Sequence, residues 1–381
     1  MIPLNTNLSG LKRSAIRVYT NMAKEVDDCV MLTIGEPDFD TPQAIKDAAA
    51  AALAANQTHY APNQGTAELR KAIAAFETRR GCTCTENQVL VTVGACEALY
   101  TALFGVLNPG EEVIIPTPGF VLYETIATVA GAKAVPLDLT ATDFQITKEA
   151  LDTVITEKTK AIVLNSPNNP TGAVYDEASL AAVKEAVRDK PIWVICDNVY
   201  QQLSLEPVPD LSTDPDLRDQ VLLCQSFSKP YAMTGWRVGY LIGPEEAISR
   251  LLLLHAGMVT AIPTFLQTAC VTALETNPTP MAEIYAKRRE YVCRRLDEMG
   301  LTYPEPKGAF YVFPNIEKYG MTSAEFCTRM IREAKVATVP GSCFGTEGHI
   351  RISYCCSDES LAKGLDRMEA FLKKMEYDVE L

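Results

Sequence analysis

Residues 191–200 read PIWVICDNVY, a short apolar run that ends before Asp197 and is followed by Tyr200. Runs of the same kind lie on both sides of it, at Gln88–Val93, Glu112–Pro116, Ala161–Leu164, Val221–Cys224 and Val238–Ile242. Helical patterns such as Glu177–Arg188 separate several of these runs. Because runs this apolar are typical of strands buried on both faces, the pattern predicts an α/β fold with a mostly parallel sheet covered by helices.

The character of the sequence changes near residue 280. Between about residues 43 and 280 apolar runs alternate with helical patterns, whereas the remainder begins with a charged amphipathic helix at Met281–Met299. It continues with the segment Gly308–Pro314, a predicted helix near Ser323–Lys335, a predicted strand at His349–Tyr354 and a predicted terminal helix from Asp358. The sequence therefore predicts a large α/β domain at 43–280 and a smaller α+β domain formed by 1–42 and 281–381.

The composition argues against several classes of protein. With 35 Lys and Arg against 48 Asp and Glu, the chain has a net charge of −13, which repels nucleic-acid phosphates. No apolar run approaches the roughly 18 residues of a membrane-spanning helix, and the first ten residues do not resemble a secretion signal. The twelve cysteines and three histidines lack zinc-ligand spacing. We expect a cytosolic protein with reduced cysteines and without a metal, membrane or nucleic-acid partner.

Glycines and polar residues follow four of the predicted strands at their carboxyl ends, where open parallel sheets bind ligands. Gly94, Ala95 and Cys96 follow the first of these strands and open a helix, whose free amides bind anions such as phosphate. The other three strands are followed by polar segments at 165–172, at Asp197 and Tyr200, and at Ser226, Lys229 and Arg237. The sequence therefore predicts that an anion site, an acid, a phenol, a lysine and an arginine meet at one edge of the sheet.

Each of these features has a simpler explanation when it is taken alone. A glycine between a strand and a helix is commonly a tight turn. Asp197 would be a helix cap or half of a buried ion pair, and Lys229 would be a solvated surface charge. The combination is more specific than its parts and favours a binding site.

A set of short motifs, spread over nearly the whole chain, resembles a known family. The motifs are Gly35-Glu36-Pro37-Asp38-Phe39, Tyr60 with Gly65, Asn168-Asn169-Pro170-Thr171-Gly172, Asp197-x-x-Tyr200, Ser226-x-Ser228-Lys229, Met233-Thr234-Gly235-Trp236-Arg237 and Arg351-Ile352-Ser353-Tyr354. They resemble the aspartate aminotransferase superfamily, in the class I/II branch of the fold type I enzymes that use pyridoxal 5′-phosphate. The resemblance implies a seven-stranded type of sheet, this cofactor and a homodimer with shared active sites. No G-x-G-x-x-G motif occurs, which argues against a dinucleotide site.

The resemblance also implies a role for each matched residue at the cofactor ring. Lys229 would bind the cofactor's aldehyde covalently and later move a proton from the substrate Cα to the C4′ carbon. Asp197 would face the pyridine nitrogen and keep it protonated. Tyr200 and Asn169 would hydrogen-bond the phenolic oxygen, although Asn169 by itself is also explained as part of a turn.

Other matched residues would bind the phosphate, cover the ring and reach across a dimer. The phosphate would be bound by the backbone amides of Gly94, Ala95 and Cys96, the hydroxyl of Ser226 and the guanidinium of Arg237. Phe120 matches the aromatic side chain that stacks on the pyridine ring, with ordinary core filling as the alternative. Tyr60 matches the tyrosine that reaches the phosphate of the neighbouring subunit.

Two further matches concern the substrate. Arg351 falls at the position of the arginine that binds the substrate's carboxylate through a bidentate fork. Its alternative role is a surface ion pair on an edge strand. Gly35 matches the loop that closes over the same carboxylate, and Asn169 is also assigned to substrate binding.

The implied reaction is transamination between an L-amino acid and a 2-oxo acid such as 2-oxoglutarate, by a ping-pong mechanism through a pyridoxamine form. Dicarboxylate-specific relatives have a second arginine from the neighbouring subunit, and Gly257–Phe265, where we expect it, contains none. An apolar lining, with Phe344 as a contact, favours an aromatic or broad range of donors. Arg17 is an alternative source of the missing charge.

Three other functions fit part of the pattern. A carbon–sulfur β-lyase uses the same cofactor and lysine, although Met233–Arg237 resembles the aminotransferase form. Ser226-x-x-Lys229 also fits the S-x-x-K motif of serine acylases, but the S-D-N and K-T-G motifs that accompany it are absent. A ligand-sensing regulator on the same fold would need a DNA-binding segment, for which the chain has neither spare length nor basic charge.

Overall fold

The computed structural model of the protein describes residue 2, residues 4–11 and residues 15–379. Residues 1, 3, 12–14, 380 and 381, which the predicted smaller domain includes, lie outside this description. The strands in the described residues are β1 (Val30–Met31), β2 (Val89–Thr92), β3 (Glu112–Thr117), β4 (Lys133–Asp138), β5 (Thr159–Asn165), β6 (Trp193–Asp197), β7 (Val221–Ser226), β8 (Gly239–Ile242), β9 (Tyr311–Val312), β10 (Val336–Ala337), β11 (Val339–Pro340) and β12 (Ile350–Ser353). The α-helices are α1 (Ala15–Lys24), α2 (Gln43–Ala54), α3 (Ala67–Arg79), α4 (Gly94–Val106), α5 (Leu122–Val129), α6 (Lys148–Val154), α7 (Glu177–Val187), α8 (Glu245–Val259), α9 (Thr264–Glu275), α10 (Thr279–Glu298), α11 (Ser323–Arg329) and α12 (Asp358–Val379).

Seven of these strands form one sheet, in the order β2-β8-β7-β6-β5-β3-β4. β8 is antiparallel to both of its neighbours, β2 and β7. The remaining neighbours pair in parallel. Six strands therefore run in one direction, and the predicted mostly parallel sheet of the seven-stranded type is confirmed.

Burial explains why the sequence reveals six strands of this sheet and not the seventh. The predicted strands β2, β3, β5, β6, β7 and β8 are buried along nearly their whole length. β4 is not among the predicted strands. It lies at the edge of the sheet, and five of its six residues, KAVPLD, are half-buried or exposed. Because an edge strand can carry polar residues and proline, its sequence lacks a continuous apolar run.

Helices cover both faces of the large sheet. α2, α3, α6, α7 and α9 share an apolar core with one face, which includes Val89 and Val91 of β2. α4, α5 and α8 share a core with the other face, which includes Leu90. Neighbouring residues of one strand thus face opposite cores, as expected for a strand buried on both sides.

The remaining strands form two small sheets. β1 pairs in parallel with β10, and β12 lies between β11 and β9 and is antiparallel to both. A further apolar core joins β1, β9, β10 and β12 to α1, α10, α11 and α12. Tyr19 and Leu32 near the start of the chain belong to this core, and so do Val199 and Tyr200 from the large-sheet region. The domain boundaries after residues 42 and 280 stay a prediction.

One of the predicted helices is irregular in the structure. The helix predicted at Ser323–Lys335 is regular only as far as Arg329, continues as a π-helical turn at Met330–Ala334, and ends where Lys335 has a φ of 56°. Among the helices of the described residues, none combines the length and apolar character needed to cross a membrane.

Candidate active site

A cavity of about 240 Å³ opens at the carboxyl ends of β5, β6 and β7. Eleven of the residues predicted for the site line it: Gly35, Ala95, Cys96, Phe120, Asn169, Asp197, Tyr200, Ser226, Lys229, Arg237 and Arg351. Gly94 adjoins the cavity through Ala95, whereas Tyr60 is 92% exposed and does not line it. A larger groove of about 1080 Å³ runs along part of the 201–216 segment, but none of the predicted site residues lines it.

Asp197 is the last residue of β6 and is buried. Its Oδ2 accepts a hydrogen bond of 2.6 Å from the Tyr123 hydroxyl, while Oδ1 has no hydrogen-bond partner in the described residues. Burial raises the pKa of Asp197 to about 6, against the lowering effects of hydrogen bonds from Tyr123 and the Val199 amide and of the Lys229 charge. A buried carboxylate oxygen without a partner at a cavity favours a ligand that brings a donor.

Tyr123 is a site residue that the sequence analysis misses. It lies in the first turn of α5, and its ring meets the ring of Phe120 edge to face, with centroids 5.9 Å apart. Burial, followed by the charge of Asp197, raises the pKa of Tyr123, so its hydroxyl retains the proton that it donates. The available signal was its position three residues after Phe120, the predicted stacking residue.

Lys229 follows β7 by three residues and reaches the loop at Gly35. Its Nζ donates a hydrogen bond of 2.6 Å to the Gly35 carbonyl. Removal from solvent lowers the pKa of Lys229, against the raising effects of Cys355, Glu36 and Cys96. A lower pKa enlarges the fraction of neutral, nucleophilic amine.

The turn between β2 and α4 lies against the guanidinium of Arg237. Gly94 has a φ of +69°, which strains any larger residue, and a Cβ atom there would lie 2.6 Å from Arg237 Nη2, so the guanidinium would have to shift. Arg237 Nη1 donates to the Thr234 carbonyl at 2.8 Å. Ser226 Oγ accepts from the Ser228 amide at 3.0 Å, which leaves the Ser226 hydroxyl hydrogen free to donate. These groups and the first amides of α4 form a set of donors suited to a phosphate.

Arg351, in β12, is buried, with only 1% of its surface exposed. Nη1 donates to Asn169 Oδ1 at 2.8 Å and Nη2 to the Thr33 carbonyl at 2.5 Å, while Nε has no partner in the described residues. Cζ lies 4.5 Å from the ring centroid of Tyr311 and 5.0 Å from that of Phe344. These partners are all neutral, and a buried cation among neutral partners favours the binding of an anion.

Two further residues of the cavity wall are missed by the sequence analysis. The Tyr311 hydroxyl is hydrogen-bonded to the Tyr200 hydroxyl at 3.0 Å, and a Cβ atom on Gly35 would lie 1.8 Å from it. Asn165 Oδ1 accepts the Asn169 amide at 2.8 Å and so holds the segment that carries Asn169. Both lie in segments quoted above, 308–314 and 165–172, but nothing in those segments reveals their partners.

Comparison with known proteins identifies the family. The model of the aminotransferase class I and II family matches residues 27–368. The chain therefore belongs to the class I and II aminotransferases, and it is an enzyme of fold type I that uses pyridoxal 5′-phosphate.

Similar proteins within the family differ in the substrates for which they are named. The chain is 38% identical to a probable N-acetyl-LL-diaminopimelate aminotransferase of Bacillus subtilis, with 98% of this chain and 97% of the relative covered. It is 38% identical to aromatic-amino-acid aminotransferase 2 of Thermococcus litoralis, with 97% and 98% covered. Its structure matches that of Thermus thermophilus aspartate aminotransferase with maleate at a TM-score of 0.92 and 35% identity, with 97% and 100% covered. Transamination is thus common to the group, whereas the named substrate varies.

The residues at the cavity fit the cofactor of this family. The partnerless Asp197 Oδ1 suits a protonated ring nitrogen. The turn at Gly94, where the Arg237 guanidinium lies next to the first amides of α4, suits a phosphate. The amine of Lys229, with its lowered pKa, suits an aldehyde.

Proposed function

We propose that this aminotransferase transfers the amino group of an aromatic or other uncharged L-amino acid to a 2-oxo acid such as 2-oxoglutarate, in two half-reactions. The observation that carries the proposal is the gathering of Lys229, Asp197 and Arg351 at one cavity. When bound, pyridoxal 5′-phosphate supplies an aldehyde that captures amines and a ring that accepts the electrons released at Cα.

In this proposal, the cofactor is held by groups on the large sheet. Asp197 pairs with the ring nitrogen through Oδ1, and Tyr123 orients the carboxylate by donating to Oδ2. Tyr200 and Asn169 hydrogen-bond the phenolic oxygen, and Phe120 stacks on the ring. The phosphate is bound by the amides of Gly94, Ala95 and Cys96, the hydroxyl of Ser226 and the guanidinium of Arg237.

Lys229 has two proposed roles, to bind the cofactor covalently and to carry a proton. When it is not bound to the cofactor, its amine would take the proton from the substrate Cα and return it at C4′. The low-polarity surroundings that lower the pKa of Lys229 keep a larger fraction of this amine neutral and able to accept the proton.

Arg351 is the proposed site of the substrate's α-carboxylate. The carboxylate would supply the anionic partner that the described residues do not give to this guanidinium. Asn169, already bonded to Nη1, would orient the fork, and the loop at Gly35 would close over the bound group.

The preference for uncharged donors rests on the rest of the cavity wall. Ile16, Ile34 and Leu99 contribute apolar surface, and the arginines that line the cavity in the described residues are Arg237 and Arg351. Both already have a proposed role, which leaves neither for a second carboxylate. Arg17, exposed on α1 beside Ile16, remains the alternative source of a charge for acidic side chains.

We further propose a homodimer in the cytosol. Tyr60 is 92% exposed, and Leu253 and Met258 on α8 are exposed by 66% and 44%, so each favours burial against a second copy. All twelve cysteines are free thiols, which is typical of a reducing compartment. If Tyr60 completes the partner's site, mixing Tyr60→Ala and Lys229→Ala chains should restore activity, because one site of each hybrid then has both residues. No recovery on mixing would contradict the shared site.

The experiment that tests the proposal is a panel of amino acids given to the purified holoenzyme. Aromatic and uncharged donors should change the absorbance of the bound cofactor faster than aspartate or glutamate, and added 2-oxoglutarate should restore it. Borohydride treatment should attach the cofactor to Lys229. A preference for aspartate would contradict the proposed donor. Release of pyruvate from cystathionine without a 2-oxo acid would indicate the β-lyase instead.

A further inference from the structure

Glu97, which is partly buried, and His255, which is fully buried, form a pair directly behind the turn that opens α4. Glu97 lies one residue after Cys96, and its Oε2 accepts the Val93 amide at 2.6 Å. Its Oε1 lies 2.6 Å from Nδ1 of His255, which belongs to α8 and has no exposed surface. Thr101, one turn further along α4, donates a longer hydrogen bond of 3.4 Å to the same Oε1. One carboxylate therefore links the turn, α4 and α8.

The surroundings of His255 define how the pair is bonded. Nε2 is buried and has no partner in the described residues. Since an ionised carboxylate only accepts hydrogen bonds, Nδ1 carries the hydrogen that joins it to Glu97. The tautomer with its hydrogen on Nδ1 leaves a lone pair at Nε2 and avoids a buried N–H without an acceptor. His255 is thus a donor to Glu97.

The turn itself needs an external support. Val93, the residue at the N-cap of α4, has no side-chain oxygen to cap the helix, and Gly94 has a φ of +69°. Glu97 reaches back and binds the Val93 amide instead. On the other side of the turn, the Thr92 hydroxyl donates to the Gly94 carbonyl at 3.0 Å. With the backbone held at these points, the next amides remain available to a ligand.

We infer that Glu97 and His255 are positioning residues for the cofactor phosphate. Their contacts set the direction of the Gly94, Ala95 and Cys96 amides relative to the guanidinium of Arg237 without touching the cofactor. The inference rests on the proposed function, which assigns the phosphate to this turn. It adds a second layer of side chains, from α4 and α8, that no motif of the sequence analysis includes.

The test compares the affinities of the apoprotein for pyridoxal 5′-phosphate and for pyridoxal, which lacks the phosphate. In Glu97→Gln, an amide replaces one carboxylate oxygen, so either Val93 or His255 loses its acceptor. In His255→Leu the donor is lost, whereas His255→Gln retains an N–H at this position. We expect Glu97→Gln and His255→Leu to raise the dissociation constant of the phosphorylated cofactor about tenfold, the equivalent of one charge-assisted hydrogen bond.

The dissociation constant of pyridoxal should change less than about twofold in the same variants, because their effect is confined to the phosphate. His255→Gln should restore most of the lost affinity. Glu246→Gln, on the exposed first turn of α8, is the matched control and should change neither constant. Thermal melting of each apoprotein identifies a variant that has not folded. If Glu97→Gln does not fold, the inference is tested by the affinities of His255→Leu and His255→Gln for the phosphorylated cofactor. The first should be lower than the second.

Two outcomes overturn the inference alone, and a third overturns it together with the proposed phosphate site. Equal loss of affinity for both compounds would assign the pair to general stability, and unchanged affinity for both would remove its role. If the wild-type protein itself binds pyridoxal as tightly as the phosphorylated cofactor, the assignment of the phosphate to the Gly94 turn fails first, and the inference falls with it.

Discussion

The two ends of the cavity are built in different ways. At the cofactor end, Asp197 terminates a central strand of the large sheet, and Tyr123 reaches it from a helix packed on the same sheet. At the substrate end, Arg351 lies on a strand of a small sheet, and its partners Asn169 and Thr33 are 182 and 318 residues away in sequence. The first end is assembled from the large sheet and a helix packed on it, whereas the second joins three distant parts of the chain. We infer that the cofactor end is preformed and that the substrate end depends on how these parts pack together.

Lys229→Ala should have the largest effect, because this residue serves the reaction at both ends. Loss of the proton carrier and of the covalent attachment should reduce turnover by at least about 10⁴-fold. Initial rates with a good donor measure the effect, and circular dichroism should show an unchanged fold. Lys71→Ala, on the exposed face of α3, is a matched control. Full activity in Lys229→Ala would end the assignment.

Arg351→Lys should break the substrate end alone. A lysine cannot reproduce the bidentate fork, so the Michaelis constant of the amino acid should rise by about 10²- to 10³-fold with a smaller change in kcat. The affinity for the cofactor and the absorbance of the bound form should stay as in the wild type. A similar loss of cofactor affinity would show that the two ends are not independent.

Asp197→Asn tests the cofactor end through the pH dependence of the apoprotein's free energy of unfolding. The pKa of Asp197 is raised from 3.8 to about 6 by burial, so the folded state holds this proton more tightly than the unfolded chain. The proton on Asp197 therefore stabilises the folded state. This stabilisation is fully present below pH 3.8 and is lost as the pH rises through about 6. A shift of this size corresponds to about 3 kcal/mol.

The free energy of unfolding in urea, measured on both apoproteins from about pH 4 to about pH 7, checks this expectation. The wild type should lose stability relative to Asp197→Asn over this range. A difference that stays constant with pH would show that Asp197 titrates near its ordinary value.

Tyr123→Phe should have the smallest effect. The substitution removes the hydrogen bond to Oδ2 but leaves the carboxylate and the ring in place, so kcat should fall by about fivefold to tenfold. The pKa of Asp197 should rise further, which the unfolding measurements described above would detect. Tyr319→Phe, which removes a hydroxyl without a partner in the described residues, is the control. Equal effects of the two substitutions would deny Tyr123 a role in positioning.

The large sheet was predictable because its signal is local. β6 and β7 are buried except at Trp193, so their apolar runs and the polar residues at their carboxyl ends stand out in the sequence. In the small sheets, β12 was predicted from the apolar run at His349–Tyr354, but the shortest strands were not predictable in the same way. β1 and β10 contain two residues each and are defined by pairing with each other, not by a pattern of their own. The edge strand β4 could not be predicted for a related reason, since a half-exposed strand has no continuous apolar run.

The residues of the candidate site also differ in how far they could be predicted from local sequence. Asp197, Ser226 and Lys229 were found because each lies at, or just after, the carboxyl end of a strand. Tyr123, Tyr311 and Glu97 were not, because each acts through a partner far along the chain, at separations of 74, 111 and 158 residues. Residues of these types are common in helices and strands, and their local sequence does not distinguish a site residue from a core residue.

By itself the sequence determined the mostly parallel sheet and the edge at which its polar residues collect, because both depend on periodicity and on the ends of strands. It also carried the motifs that match the family. The tertiary structure decided which side chain donates to Asp197, what surrounds Arg351, and that Glu97 and His255 support the Gly94 turn. Those contacts form between segments that meet only when the sheets and helices have packed, so their geometry is set by the whole fold.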